Sequence, residues 1–262
     1  MGQFSMIEFA IQGPAAWITL ARPEQMNALS MQLAQELDMA LAQCTEDARV
    51  RVVVLTGSGR AFCAGADLKE VLASKDLPAG SPDFLEVLGR VFQRLRSFPK
   101  PVIAAVNGLA LAGGLELVLT ADIVFAAESA RLGDAHANFG VFPGAGGAAI
   151  LPRRIGLNRA KFLLFSGEQV SAREMMQMGL VNEVVPDEAL REHVAAFVTK
   201  IADKSPVVLR RMKEVANHAM DQSERAALIE EQLNLREHMR SYDIQEGLTA
   251  FREKRKPVFR GY

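Results

Sequence analysis

Cysteine and net charge are both scarce in this chain of 262 residues. There are two cysteines, Cys44 and Cys63, and their spacing fits neither a metal site nor a redox motif. This argues against a disulfide framework and favours a reducing compartment. The 30 Lys and Arg residues almost balance the 31 Asp and Glu residues. No net field is therefore expected to attract nucleic acid or an anionic lipid surface.

Long uncharged apolar runs and targeting segments are missing as well. The one window long enough to cross a bilayer, residues 102–123, contains Asn107, Glu116 and Asp122, which disfavours a membrane span. The first residues, MGQFSM, lack the basic and apolar regions of a secretory signal. We therefore expect a cytoplasmic, globular protein with no nucleic-acid or membrane partner, whose 49% hydrophobic residues build a substantial core.

A strand followed by a helix that opens on glycines dominates the middle of the chain. Val102–Val106 consists of β-branched and small residues, which predicts a strand buried on both faces. Gly113 and Gly114 then open an apolar helix whose first amides face an open space. Helical spacing places the Glu116 carboxylate on the same face. Glu116 could act as an acid or base or only satisfy a buried donor, and the glycines could serve only close packing.

The same pattern occurs roughly 50 residues earlier in the chain, which suggests a weak structural repeat. Residues 51–56 predict a strand, and residues 61–70 bring a turn of small residues to a second helix start. Asp67 and Glu70 have the spacing of a capping box, which places the Ala66 amide near the N-terminus of this helix.

Two amides, one at Ala66 and one at Gly113, would converge on a single oxygen if their strands are neighbours. Such a pair stabilises negative charge that develops on a carbonyl oxygen, and the loss of one donor typically raises the barrier by about 3 to 4 kcal/mol. Together with the Glu116 carboxylate, the pair predicts enolate or oxyanion chemistry beside an acid–base group.

The remaining segments predict further elements around this centre. Asp187 is expected to cap a helix, and the polar segment 131–140 is expected to form no regular element. Other predictions are a hairpin over 6–20, a helix capped by Ser30, a mobile loop over 77–82, and helices that begin near 83, 205 and 223.

Three motifs together resemble the crotonase (enoyl-CoA hydratase/isomerase) superfamily over nearly the whole chain. They are AFCAGADL at 61–68, AVNG with GGLEL at 105–117, and FPGAGG at 142–147. The resemblance implies an α/β fold, with a spiral of ββα turns over residues 1–195 and a C-terminal α-helical trimerisation region over residues 196–262. It also implies a homotrimer or homohexamer and an acyl-CoA substrate. Coenzyme A would enter only as part of that substrate, with no other cofactor and no metal.

The resemblance also assigns roles to individual residues. It gives the oxyanion-hole amides to Ala66 and Gly113 and the first catalytic carboxylate to Glu116. Lys254 is expected near the CoA phosphates, within one subunit or across a subunit boundary, although the basic tail around it could simply be solvated. The residues expected to grip the adenine and pantetheine arm of CoA are Asn27, Ala28, Ala64, Asp67 and Leu68.

One position departs from the family pattern. Family hydratases carry a second Glu in a Gly-x-Pro-Glu context, whereas this chain has Gly133-Asp134-Ala135-His136. Hydration needs one group to activate water and another to deliver a proton to the α-carbon, and a histidine that titrates near neutral pH could take either role. We therefore expect hydration of a 2-enoyl-CoA with Glu116 and His136 as the acid–base pair.

Several alternatives to hydration stay open at this stage. The altered position could indicate isomerisation, hydrolysis or C–C cleavage of an acyl-CoA, and His136 could be a hydrogen-bonded pocket residue without a catalytic role. The chain could also be an acyl-CoA-binding homologue that has lost catalysis. Asp134 and His136 as a metal site is disfavoured, because two ligands are too few.

Overall fold

The structure, a computed structural model, describes residues 4–73 and 83–262. Its strands are Ile7–Gln12 (β1), Ala15–Leu20 (β2), Val52–Gly57 (β3), Ala61–Cys63 (β4), Val102–Val106 (β5), Leu109–Leu111 (β6), Ile123–Ala127 (β7), Arg131–Gly133 (β8), Val170–Ser171 (β9) and Glu183–Val185 (β10). Its α-helices are Met31–Glu46 (α1), Leu68–Ala73 (α2), Phe84–Arg96 (α3), Gly113–Val118 (α4), Leu151–Ile155 (α5), Leu157–Ser166 (α6), Ala172–Met178 (α7), Leu190–Ala202 (α8), Pro206–Ala219 (α9), Glu224–His238 (α10) and Tyr242–Glu253 (α11).

The strands form two sheets. The larger has the strand order β1-β2-β3-β5-β7-β10, and the smaller has the order β4-β6-β8-β9. From β3 onward, successive turns of the chain give one strand to each sheet, so that β4 follows β3, β6 follows β5 and β8 follows β7. Helices α2 and α4 complete the first two turns. The predicted spiral of ββα turns is confirmed.

The centre of the larger sheet is enclosed on both faces. Strands β3, β5 and β7 pair in parallel, and Val102–Val106 is buried along its whole length, as its continuous apolar run predicts. Helix α1 packs on β1 and β2 and is covered by α3. Ser30 caps α1 as predicted, since its hydroxyl accepts a hydrogen bond from Leu33 N at 3.2 Å.

The capping box predicted for α2 is wrong. The Asp67 carboxylate does accept a hydrogen bond from Lys69 N, at 3.1 Å, but Glu70 does not reach back to the Asp67 amide. Instead, Glu70 Oε2 accepts a hydrogen bond of 2.6 Å from Met31 N at the start of α1. Glu70 therefore satisfies an N-terminal amide of α1, which has no partner within its own helix, instead of the Asp67 amide.

Two other local predictions are also wrong. Residues 131–140 contain strand β8 and a 3-10 helix, His136–Phe139, because pairing with β6 and β9 supplies backbone partners that the polar sequence does not suggest. Asp187 accepts a hydrogen bond from Ser129 N at 3.0 Å and leaves α8 without a side-chain cap. The loop predicted over 77–82 lies outside the described residues.

The C-terminal helices form a layer against the spiral. Helix α8 packs on β5 and β7, and Lys213 on α9 forms an ion pair of 2.7 Å with Asp122 beside β7. The predicted boundary between residues 195 and 196 falls inside α8, so the division into a core and a trimerisation region stays a prediction. Within 4–73 and 83–262, no helix is both long and apolar enough to span a bilayer.

Asn27 holds the turn that precedes α1 and does so with a completely buried side chain. Its Oδ1 accepts a hydrogen bond from Arg22 N at 2.9 Å, and its Nδ2 donates to the carbonyls of Ser58 and Ala61 at 2.9 and 2.7 Å. Its φ of 56° lies in the left-handed region, which Asn tolerates better than most residues. The polar atoms of this side chain are engaged inside the fold, and the predicted role of Asn27 in holding CoA stays a prediction.

We predict that Asn27→Ala lowers the free energy of unfolding by roughly 2 to 4 kcal/mol, since three buried polar groups lose their partner. Chemical denaturation at fixed protein concentration measures the change. Asn27→Asp is the matched comparison, since it keeps the acceptor for Arg22 N but removes both donors, and it should also destabilise. Unchanged unfolding of both variants together with weaker CoA binding would instead identify Asn27 as a binding residue.

Candidate active site

Two backbone amides from consecutive turns of the spiral meet at one edge of the smaller sheet. Strands β4 and β6 are parallel neighbours, so the turns after their carboxyl ends lie side by side. A Cβ placed on Gly113 would lie 3.3 Å from Ala66 N, and one placed on Gly65 would lie 3.3 Å from Gly113 N. Neither the Ala66 nor the Gly113 amide donates a hydrogen bond to another described residue. The two N–H groups therefore lie close to each other and have no partner among the described residues.

The backbone is strained directly before the Gly113 amide. Ala112 has φ 49° and ψ −119°, a conformation that residues with a Cβ seldom adopt and that costs on the order of 1 to 3 kcal/mol. The Ala112 N–H donates to Gly133 O at 3.1 Å, which ties this residue to β8. The strain is therefore stored at the point that sets the direction of the Gly113 N–H.

Glu116 lies on α4 and is only 3% exposed. Its Oε1 accepts hydrogen bonds from Ala145 N at 2.7 Å and Gly147 N at 2.9 Å. The carbonyl of Ala145 in turn accepts a hydrogen bond of 2.7 Å from the Arg96 guanidinium. Burial lowers the pKa of Arg96, and the charge of Glu116 opposes this shift. Ala145 thus connects a half-buried cation, through its carbonyl, to the Glu116 carboxylate, through its N–H.

His136 stands between two carboxylates. Its Nδ1 lies 3.0 Å from Asp134 Oδ1, and its Nε2 lies 3.8 Å from Glu116 Oε2. Burial lowers the pKa of His136, but the hydrogen bond to Asp134 and the charges of Asp134 and Glu116 outweigh burial, so the net pKa lies above its ordinary value of 6.5. The structure therefore brings the side chains of Glu116 and His136 together. Helix α4, which carries Glu116, begins at Gly113.

A sequence model of the enoyl-CoA hydratase/isomerase family matches residues 11–262. The chain belongs to this family. It is 40% identical over 259 residues to a probable enoyl-CoA hydratase of Bacillus subtilis, across 97% of this chain and 98% of that protein. It is 38% identical to the 2,3-dehydroadipyl-CoA hydratase of Escherichia coli, across 93% and 94% of the two chains. The crystal structure of an enoyl-CoA hydratase from Bacillus anthracis matches with a TM-score of 0.92 at 39% identity, over 98% of this chain and all of that one.

These similarities confirm the crotonase resemblance, the fold and the status of the protein as an enzyme of the enoyl-CoA hydratase/isomerase family.

The residues predicted to grip CoA are spread over the turn before α1, the turn after β4 and the C-terminal tail. Ala28 uses both backbone polar groups inside the fold, since its N–H donates to Gln25 O and its carbonyl accepts from Arg22. Asp67 forms an ion pair of 3.2 Å with Arg22. Ala64 is half-buried, Leu68 is exposed, and Lys254 ends α11 with an exposed side chain. Their contacts with CoA stay predictions.

Sequence reasoning missed Arg96 as part of this site and did not give Asp134 a role beside His136. Arg96 reads as a basic residue in the last turn of a helix, and nothing in the local sequence links it to Ala145. In the part of the chain that the structure describes, no three His, Cys, Asp or Glu side chains cluster closely enough to hold a metal. Cys63 is completely buried, and burial raises its pKa to about 12, which makes it a poor nucleophile.

We predict that Gly147→Ala lowers turnover of crotonyl-CoA at least about 10-fold, because the new Cβ would lie 2.5 Å from Asp134 Oδ2 and 3.5 Å from Glu116 Oε1. The Gly147 amide would then move away from Glu116. The matched control is Gly144→Ala in the same loop, where an added Cβ meets no atom within 4 Å. Steady-state kinetics of both variants make the test, and equal turnover in the two would contradict the assigned role of this loop.

Proposed function

We propose that this enzyme adds water across the double bond of a 2-enoyl-CoA thioester. The observation that carries the proposal is the 3.8 Å separation of His136 Nε2 from Glu116 Oε2, together with the Ala66 and Gly113 amides, which donate to no other described residue. Hydration needs two proton-handling groups and a donor pair for the thioester oxygen, and this arrangement supplies them together. The names of the similar proteins, which include two enoyl-CoA hydratases and a 2,3-dehydroadipyl-CoA hydratase, support the same class of reaction.

In the proposed reaction, the thioester oxygen accepts hydrogen bonds from the Ala66 and Gly113 amides. The oxygen gains negative charge as the double-bond electrons move toward the carbonyl to form an enolate. Fixed donors stabilise that charge without reorganisation, because the fold has already oriented them. The strained residue before Gly113 and the close approach of the two turns support this role.

Glu116 acts as the base in this proposal and His136 as the acid. One proton of water passes to Glu116 Oε2, the water oxygen bonds to the β-carbon, and His136 Nε2 delivers a proton to the α-carbon. Return of the proton from Glu116 to His136 restores both groups. The amides on Oε1 leave Oε2 as the basic oxygen, and the elevated pKa of His136 favours the protonated form needed for an acid.

We predict that incubation with crotonyl-CoA gives a product heavier by one water, and that Glu116→Gln lowers kcat at least about 100-fold. Gln keeps an oxygen acceptor for the two amides but cannot take a proton from water. Mass spectrometry of the product and steady-state kinetics measure the two effects. Thermal unfolding and binding of butyryl-CoA, which cannot be hydrated, should be the same in the variant as in the wild type.

The same assay separates the other reactions of acyl-CoA thioesters. Unchanged mass with a shifted double bond indicates isomerisation, release of free CoA indicates hydrolysis, and a shortened acyl group indicates C–C cleavage. Any of these as the main product on a panel of thioesters would replace hydration, as would tight acyl-CoA binding without turnover. Undiminished kcat in Glu116→Gln would reject Glu116 as the base.

We predict that kcat/KM for hydration is highest below the pKa of His136 and falls as the pH rises through it. The protonated ring is the active acid in the proposal, and the His136 pKa is raised above 6.5, so the protonated form persists into the neutral range. A pH series with crotonyl-CoA measures this limb. His136→Gln should remove the limb and lower kcat/KM at neutral pH. An alkaline limb that stays in place in His136→Gln, or its absence from the wild type, would contradict the acid role of His136.

A further inference from the structure

Asp134 is a completely buried carboxylate, and within the described residues all of its hydrogen bonds involve His136. Its Oδ1 lies 3.0 Å from His136 Nδ1 and accepts the His136 main-chain N–H at 3.3 Å. Its Oδ2 is buried and accepts no hydrogen bond from any residue within the described ranges. No Lys or Arg among these residues forms a salt bridge with Asp134. His136 is therefore its sole partner in an ion pair within the described ranges.

The Asp134 carboxylate is held in place by the fold. It follows strand β8 directly, and Gly133 lies so close to the backbone of Glu168 that an added Cβ would come within 2.3 Å of its carbonyl oxygen. On the other side, an added Cβ on Gly147 would meet Asp134 Oδ2 at 2.5 Å. Packing on both sides leaves the carboxylate little freedom to turn away from His136.

Burial of a carboxylate in this position destabilises the fold unless a positive charge on His136 compensates for it. Burial of a charge without a cationic partner is strongly unfavourable, and two N–H groups from a single residue offset only part of that cost. The arrangement becomes favourable when the ring carries a positive charge, because the imidazolium then lies between Asp134 and Glu116. A hydrogen bond at Nδ1 also determines which ring nitrogen faces the reacting atoms.

We propose that Asp134 is a positioning residue for His136, which keeps a proton on Nδ1, directs Nε2 toward Glu116 and stabilises the imidazolium during turnover. The inference rests on the proposed function, since it requires His136 to transfer a proton. It assigns to Asp134 no contact with the substrate.

The charged groups around the ring determine what the removal of Asp134 should do. Asp134 and Glu116 face His136 directly, and Arg96 on α3 donates to the carbonyl of Ala145, whose N–H donates to Glu116. Without the Asp134 charge, Glu116 alone opposes the effect of burial, so the pKa of His136 should fall. The alkaline limb of the pH profile should move to lower pH.

The test uses Asp134→Asn, which keeps the shape of the side chain and removes its charge. We predict a fall in kcat of about 10- to 100-fold at neutral pH, a limb displaced to lower pH, and little change in KM or in the unfolding temperature. Combined with His136→Gln, the same change should have almost no further effect on kcat. A pH profile like that of the wild type, or an equal loss of activity with and without His136, would overturn the proposal.

A second measurement on the wild-type enzyme does not depend on the folding of a variant. The chain has four histidines, so the nitrogen NMR signals of His136 can be assigned by their loss in His136→Gln. The proposal requires the neutral ring to carry its proton on Nδ1, and a neutral ring protonated on Nε2 would refute it. If His136→Gln leaves hydration unchanged, the acid role of His136 fails. If only the Asp134→Asn profile fails to move, the proposed function stands without this inference.

Discussion

The parallel pairing of β4 with β6 is the constraint on which the site depends. It places the turn after each strand beside its neighbour, so that the Ala66 and Gly113 amides come from residues far apart in the chain and still lie close together. The third turn adds β8 to the same sheet and carries Asp134 and His136 to the same edge. A spiral with one strand per sheet per turn therefore stacks the functional segments as a consequence of its topology.

The charged groups at this edge form a chain of contacts. Asp134, His136 and Glu116 alternate in sign when the ring is protonated, and Arg96 is linked to Glu116 through the carbonyl and the N–H of Ala145. The protonated ring then has carboxylate oxygens at 3.0 and 3.8 Å, which lowers the free energy of keeping both carboxylates away from water. The arrangement leaves Glu116 Oε2 and His136 Nε2 as the two atoms best placed to exchange protons in the proposed reaction.

Much of this could be predicted from the sequence, because its signals are local. Val102–Val106 is apolar throughout and is a buried strand, and Gly113 opens a helix with Glu116 on its face, as the spacing indicates. Predictions failed where a distant residue supplied the partner. Glu70 binds the start of α1, and Asp187 accepts a hydrogen bond from Ser129 N instead of capping α8. No propensity or spacing rule encodes such contacts.

The pairing of His136 with Glu116 was predictable only in part. The motif identifies position 136, because a histidine stands where the family has a second Glu, but its contacts with Asp134 and Glu116 depend on the fold. The Arg96 contact with Ala145 had no sequence signal, since it joins the end of one helix to a loop 49 positions away. Contacts of this kind depend on the completed fold, and the chain order does not reveal them.

The use of main-chain groups to hold Glu116 affects which sequence changes this enzyme can tolerate. The groups that hold Glu116 belong to the main chain of Ala145 and Gly147, and the candidate oxyanion donors belong to the main chain of Ala66 and Gly113. The side chain at each of these four positions affects the site only through its effect on the path of the backbone. Ala66 and Ala145 are free to drift toward other small residues without loss of a donor, whereas a single inserted or deleted residue in either loop would misalign the whole set.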